Sequence, residues 1–206
     1  MKLLELCSGT GSIGKVAVNY GFDVVSLDKD MDATIKMDIM NWNYKEYPPK
    51  YFDVIWSSPP CTEYSIAKTT GIRKIELANN IVKRVLEIIS YYDPIYYFIE
   101  NPQTGLLKKQ EFMFDIPYND LDYCKYGTLY RKRTRIWNNL INWKPKPLCK
   151  KDCGNVINNK HIQIAQRMPC GKKSEWGNGI LYKQSELYII PELLVIEIIE
   201  FIVNNI

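Results

Sequence analysis

Leu3-Leu-Glu-Leu-Cys-Ser-Gly-Thr-Gly-Ser-Ile-Gly14, near the start of the chain, is the stretch whose reading decides the fold. Leu3 to Cys7 is apolar apart from Glu5 and reads as a buried strand, and Ile13 to Asn19 reads as the helix that follows it. Between them stand Gly9 and Gly11, with Gly14 one turn into the helix. Glycine lets a backbone turn sharply and approach a ligand closely, and a helix that begins at such a turn directs free amides at a polar group. Working outward, Asp23 to Leu27 and Phe52 to Ser57 read as further strands. Ile75 to Tyr91 reads as a helix, with Leu77, Ile81, Val85, Leu86, Ile88 and Ile89 at helical spacing, and Asp93-Pro94 ends it. Ile95 to Ile99 is again a strand. Strands separated by helices imply an α/β fold, a mostly parallel Rossmann-like sheet with helices on both faces and its functional crevice at the carboxyl ends of the strands.

The glycine spacing alone serves two ligand classes, a dinucleotide or an S-adenosylmethionine-type cofactor. Asp28, ending the second strand, could accept ribose hydroxyls in either case. Asp38, in Met37-Asp38-Ile39 after a short third element, could meet an adenine amino group, which a dinucleotide site does not require. Both also have ordinary readings, as a turn residue and a capping residue.

Three constellations bear on chemistry. Pro59-Pro60-Cys61 follows a strand directly; two prolines stop the ladder and hold the next residue in a stiff turn, which suits a nucleophilic thiolate and also a plain buried cysteine. Glu100-Asn101-Pro102 ends the Ile95 strand at the same sheet edge, where a partly buried carboxyl could bond a heterocycle or merely cap a strand. In Arg131-Lys-Arg-Thr-Arg135 an extended backbone points Arg133 and Arg135 the same way, a pair suited to phosphate or a developing anion. An amino-directed methylating site would place Asp or Asn before its Pro-Pro; Ser58 and Cys61 disagree with that arrangement.

Taken in order from Leu3 to Trp137, these motifs resemble those of the DNA cytosine-5 methyltransferase family. Glu5 to Gly11 resembles its first cofactor motif. Pro59-Pro-Cys-Thr-Glu-Tyr-Ser65 resembles its nucleophile motif, with an aromatic and a serine at the family spacings. Glu100-Asn-Pro102 resembles Glu-Asn-Val with the third place changed, and Arg131 to Arg135 resembles Gln-x-Arg-x-Arg with Arg131 for the glutamine. The resemblance implies S-adenosyl-L-methionine held by Glu5, Cys7, Ser8, Gly9, Thr10 and Gly11, with Ser12, Asp28, Lys29, Asp38, Ile39 and Pro59 completing the set. It implies a flipped cytosine in double-stranded DNA, attacked at C6 by Cys61, with Glu100 at N3 and Arg133 and Arg135 orienting the base. Thr62 to Lys74, with Gly71, would be a mobile loop closing over that base, placing Tyr64, Ser65, Lys68 and Arg73 beside Arg131 on the nucleic-acid side. The same chemistry on tRNA cytosine and a catalytically silent nucleic-acid-binding homologue are the alternatives. An NAD-dependent oxidoreductase would leave Cys61, Glu100 and the arginines without joint purpose.

The expected organisation is a catalytic core at 1–139, a small basic target-recognition insert at 140–181, and a terminal segment and helix at 182–206 that packs back on the core. Between Lys144 and Lys173 stand eight Lys or Arg against the single Asp152, so Lys151, Arg167 and Lys172 are candidate nucleic-acid contacts. Cys149, Cys153, His161 and Cys170 are zinc-ligand types at a spacing unlike a standard finger; the chemistry needs no metal and none is assigned. Six cysteines in a 206-residue chain without a signal-peptide pattern or a membrane-length apolar run fit a reducing, cytoplasmic setting. The protein is read as monomeric, with a cognate restriction endonuclease as a possible partner. Its richness in Asn, Lys, Ile and Tyr points to an AT-rich genome such as that of a phage or virus. After Pro191 helical periodicity returns; Gln184-Ser-Glu-Leu-Tyr188 stands where the family has a Gly-Asn approach.

Overall fold

The structure, a computed structural model, describes residues 1–165 and 184–205. Its centre is a seven-stranded sheet of β1 (Lys2–Leu6), β2 (Asp23–Asp28), β3 (Ile35–Lys36), β4 (Val54–Ser57), β5 (Tyr96–Pro102), β6 (Tyr118–Asp122) and β7 (Arg133–Asn138), in the order β3-β2-β1-β4-β5-β7-β6. β1 to β5 pair in parallel, and β7 runs antiparallel between β5 and β6. The mostly parallel α/β sheet expected from the sequence is therefore present. β6 was not foreseen, because Tyr118-Asn-Asp-Leu-Asp122 has only Leu121 as an aliphatic residue, and both of its aspartates face arginines on β7.

Strand alternation divides the core into two layers. Leu3, Val54, Trp56, Phe98 and Ile136 face α1 (Ser12–Asn19) and the C-terminal helix, whereas Leu4, Leu6, Ile55, Ile99 and Trp137 face α2 (Ile75–Tyr92). α2 is the helix expected from apolar spacing, but its buried stripe is Ala78, Val82, Val85, Ile88, Ile89 and Tyr92. Of the residues that marked it in the sequence, Val85, Ile88 and Ile89 are buried, Ile81 and Leu86 are partly so and Leu77 is exposed. α1 is too short to cover its face alone. A single turn, α3 (Gln184–Leu187), leads to α4 (Glu192–Val203), whose Leu194, Val195, Ile198, Ile199 and Ile202 complete that layer. Each such side chain contributes about 1.5–3 kcal/mol when buried. Leu140 and Trp143, assigned to the insert by sequence, pack in this same layer, and the Trp143 indole donates to Glu197 Oε1 at 3.2 Å. Beyond them a small hairpin of β8 (Val156–Ile157) and β9 (Lys160–His161) is the regular structure of the insert among the described residues. No helix among the described residues is long and apolar enough to cross a membrane.

Candidate active site

The loop after β1 is held from two directions. Glu5 is buried beneath α1, and its carboxylate accepts the Ile13 amide at 3.1 Å and the Gly14 amide at 2.9 Å. It thereby satisfies donors that the first turn of a helix leaves free. Burial lifts its carboxyl to about 7, although the Gly14 and Ile13 amides pull the other way. A side chain at Gly14 would meet that carboxylate at 2.9 Å and Val24 at 3.0 Å, so a larger residue there would have to displace the carboxylate from its amides. From the other side, Asp28 accepts Gly9 N–H at 2.8 Å through one oxygen and the amides of Asp30 and Met31, each at 2.9 Å, through the other.

An open pocket lies where β1 and β2 end. Cys7, Asp28, Lys29, Asp38 and Ile39, all expected at the cofactor, line it together with Leu27, Met37, Pro60 and Ile81. The Cys7 thiol is pushed up to about 12 by burial first and then by Asp28 and Asp38, so it presents a neutral S–H. Three of the residues expected at the cofactor have hydrogen-bond partners in the scaffold. Glu5 is spent on α1, Ser12 Oγ accepts Ile190 N–H at 3.2 Å, and the Pro59 carbonyl accepts Asn101 Nδ2 at 2.9 Å. The Thr10 hydroxyl pairs with Ser12 at 2.9 Å. Nearby, Ser8 Oγ, Ser57 Oγ and Asn101 Oδ1 are buried without a hydrogen-bond partner. They belong to the carboxyl ends of β1, β4 and β5, which the register aligns through Leu6, Ser57 and Ile99.

Cys61 stands beside this pocket, one residue after Pro60. Its thiol lies above the ordinary range because of burial first and the Glu100 charge second, with Lys132 opposing. The stiff turn expected to suit a thiolate therefore holds a thiol that its surroundings keep protonated. Glu100 is buried, accepts the Tyr123 hydroxyl at 3.0 Å and faces Lys132 Nζ at 3.7 Å. Burial and the Glu100 charge hold the Tyr123 phenol neutral. Lys132, Tyr123 and Asn101 are the residues that sequence reasoning missed. Lys132 and Asn101 lie inside quoted motifs and could have been found there, whereas Tyr123 carries no motif signal.

The arginines carry partners of their own. Asp122, fully buried, accepts Arg131 Nε at 3.1 Å and both Arg133 Nε at 3.2 Å and its terminal nitrogen at 3.0 Å. Asp120 binds Arg135 through two bonds of 2.7 and 2.8 Å, while the Arg135 guanidinium lies 3.4 Å from the centre of the Tyr118 ring. Cross-strand register explains the pairing, since Asp120 opposes Arg135 and Asp122 opposes Arg133.

The loop after Cys61 closes on itself. Arg73 donates to the carbonyls of Glu63, Ser65 and Lys68, and Lys68 pairs with Glu63 at 2.6 Å. Ser65 Oγ accepts Ala67 N–H at 3.2 Å. Tyr64 corrects an expectation: its side chain is fully buried, with its hydroxyl on Asn79, and it anchors the loop to α2 instead of facing a nucleic acid. In the insert, Lys151 is exposed, and Cys149, Cys153 and His161 come together with Cys124, a residue not foreseen. Arg167, Lys172 and Cys170 lie outside the described residues.

The model of the C-5 cytosine-specific DNA methylase family matches residues 1–131. A protein of Frog virus 3 (isolate Goorha) named "Probable DNA (cytosine-5)-methyltransferase" is 30% identical over 222 residues, covering 97% of this chain and 99% of its own length. Among solved structures, an E. coli "putative DNA modification methyltransferase encoded within prophage" aligns at 18% identity and TM-score 0.49, over 67% of this chain and 46% of that one. The Schizosaccharomyces pombe Dnmt2 methyltransferase aligns at 15% identity and TM-score 0.47, over 73% of this chain and 53% of that one. The chain thus spans about half the length of these two structural relatives.

Proposed function

The chain belongs to the C-5 cytosine-specific DNA methylase family, and we propose that it methylates C5 of cytosine in double-stranded DNA through a covalent bond between Cys61 and C6. The observation that carries this reading is that Cys61 follows the pocket wall at Pro60 and feels the charges of buried Glu100 and half-buried Lys132.

S-adenosyl-L-methionine fits the pocket chemically. Leu27, Met37, Ile39 and Ile81 offer apolar surface to a nucleoside ring, while Asp28 and Asp38 offer carboxylates to its amino and hydroxyl groups. The orphaned Ser8, Ser57 and Asn101 oxygens are buried polar atoms of the kind a polar ligand satisfies. When bound there, the cofactor supplies an electrophilic methyl group.

The remaining steps belong to the chain. A base swung out of a duplex costs about a few kcal/mol in lost stacking and pairing. Once in the crevice, cytosine meets the Glu100 carboxylate, which stabilises a proton on N3 and accepts from the exocyclic amine. The ring then becomes electrophilic at C6, and the Cys61 thiolate forms its bond there. Loss of negative charge at Glu100 on sharing that proton also removes the second of the two effects that hold the thiol protonated, burial being the larger, so base binding moves Cys61 toward the nucleophilic form. C5 becomes electron-rich enough to take the methyl group; the C5 proton then passes to water, its bonding pair re-forms the C5–C6 double bond, and Cys61 leaves C6 as a thiolate. Arg133 and Arg135 orient the base and backbone once they exchange Asp122 and Asp120 for it. Residues 62–74 close over the site. Action in a host cell, as part of a virus or phage, extends this reading and is supported by the Frog virus 3 relative.

The test is incubation of the full chain and cofactor with duplex DNA containing 5-fluorocytosine, and in parallel with tRNA, alongside bisulfite sequencing of DNA from expressing cells. Wild-type protein should form a denaturation-resistant adduct with the DNA and protect defined cytosines from conversion; Cys61→Ser should do neither. Folded, cofactor-binding protein that does neither overturns the reading, and methylation confined to tRNA moves the substrate to RNA.

A further inference from the structure

We infer that Cys124, Cys149, Cys153 and His161 form a structural zinc site that clips the insert to the base-handling edge of the sheet. Their three sulfurs and one ring nitrogen all lie within 4.8 Å of one another. Zinc bound to thiolate at about 2.3 Å and to imidazole at about 2.0–2.1 Å requires sulfur–sulfur edges of about 3.8 Å and sulfur–nitrogen edges of about 3.6 Å. Cys149 Sγ and His161 Nε2 already stand 3.5 Å apart. Inward movements of an ångström or less close the remaining edges.

The backbone is shaped to deliver these four groups from three separate segments. Cys124 lies in the 3-10 turn Tyr123–Tyr126 that follows β6. Cys149-Lys-Lys-Asp-Cys153 doubles back through left-handed Lys151 at φ 72°, and the Lys151 amide donates to Cys149 Sγ at 3.2 Å. An amide aimed at a sulfur steadies it as a thiolate ligand. His161 is returned to the cysteines by the β8–β9 hairpin, whose turn residues Asn158 and Asn159 are both left-handed, at φ 49° and 65°. Between Leu148 and Ile164 the insert contributes only Cys149 to the buried hydrophobic core among the described residues. A segment with so little apolar burial needs a staple.

Three thiolates and one imidazole fill a tetrahedron and leave no open position, which makes the site structural, and soft sulfur ligands select zinc over magnesium or calcium. Its place in the fold gives it a task. Cys149 N–H donates to Asp122 Oδ2 at 3.0 Å, the carboxylate that also holds Arg131 and Arg133. Cys124 directly follows Tyr123, which bonds Glu100. A metal here joins the recognition segment to both the arginine pair and the catalytic carboxylate.

Metal analysis of the full chain, purified from zinc-supplemented cells without chelators, tests the site. About one zinc per chain is expected, released in step with mercurial titration of thiols. Cys124→Ser, Cys153→Ser and His161→Ala should each lower the content severalfold, whereas Cys61→Ser and Cys170→Ser should keep it. Should the variants fail to fold, cobalt(II) exchanged into wild-type protein should show the visible bands of a tetrahedral, thiolate-rich site. Wild-type protein without zinc that gives no such spectrum, a disulfide joining two of these cysteines, or zinc that is lost with Cys170→Ser yet kept with Cys124→Ser, would each overturn the proposal.

Discussion

The half of the sheet built on β1, β2 and β4 and the half built on β5, β7 and β6 handle their polar groups in opposite ways. On the first side carboxylates are held by backbone amides: Glu5 by Ile13 and Gly14, Asp28 by Gly9, Asp30 and Met31. A pocket is left between them. On the second side charged side chains are paired with one another across the strands, Arg131 and Arg133 with Asp122, Arg135 with Asp120, Lys132 with Glu100. The first half is thus ready-made for a small ligand, whereas the second must exchange internal partners for a polyanion or a base. In the one an aspartate chiefly shapes a binding site; in the other an aspartate chiefly holds the protein together.

Parallel substitutions put that contrast under the largest strain. Asp122→Asn removes the charge facing two guanidiniums and should cost about 2–4 kcal/mol in urea denaturation, less than a fully buried pair because Arg131 and Arg133 keep 35% and 29% of their side chains in solvent. Asp28→Asn should cost only about 1 kcal/mol, since its bonds are to amides near the surface, while weakening cofactor binding by about tenfold in calorimetry. Equal stability losses at the two positions, or intact cofactor binding in Asp28→Asn, would erase the distinction.

The same contrast explains what could be read from the sequence. The glycine loop, Asp28, Asp38 and the Cys61 turn were legible because their geometry is dictated by neighbours in the chain, glycine and proline above all. α2 and α4 were legible through their apolar spacing. β6 was not, because Asp120 and Asp122 make it look like a polar loop until β7 supplies arginines opposite them. Tyr64 looked like a surface aromatic, since nothing local reveals that Asn79 waits for its hydroxyl. Cys124 sits far in sequence from the cysteines it joins, and Cys170 offered a nearer fourth ligand. Lys132 stood unremarked between two arginines, though it is the cation that faces Glu100.

A middle-sized effect probes the junction of the two halves, where Cys61 on the pocket side feels Glu100 on the other. The Glu100 carboxylate raises the Cys61 thiol, so its removal must lower that thiol toward the ordinary range. Below the thiol pKa the thiolate fraction grows tenfold for each unit of decrease. Glu100→Gln should therefore speed iodoacetamide labelling of Cys61 by roughly 3–10-fold at pH 7.5, with both proteins labelling faster as pH rises. Lys132→Met should slow it. Slower labelling in Glu100→Gln would mean that the carboxylate accepts the thiol proton directly instead of acting through its field.

The smallest effect tests whether the charges of the second half are satisfied among themselves or depend on aromatic cover. The Tyr118 ring lies against the Arg135 guanidinium but is itself half exposed, on the edge strand β6. A cation over an exposed ring is worth about 0.5–1 kcal/mol, because water competes for the guanidinium. Arg135 keeps its two bonds to Asp120 whether or not the ring is present. Tyr118→Ala should accordingly lower stability by no more than about 1 kcal/mol, and Tyr118→Phe, which keeps the ring and drops the hydroxyl, should be nearly neutral. A loss of 2 kcal/mol or more in Tyr118→Ala would show that the ring shields the Asp120–Arg135 pair from water, and that this half of the sheet keeps its charges by covering them as well as by pairing them.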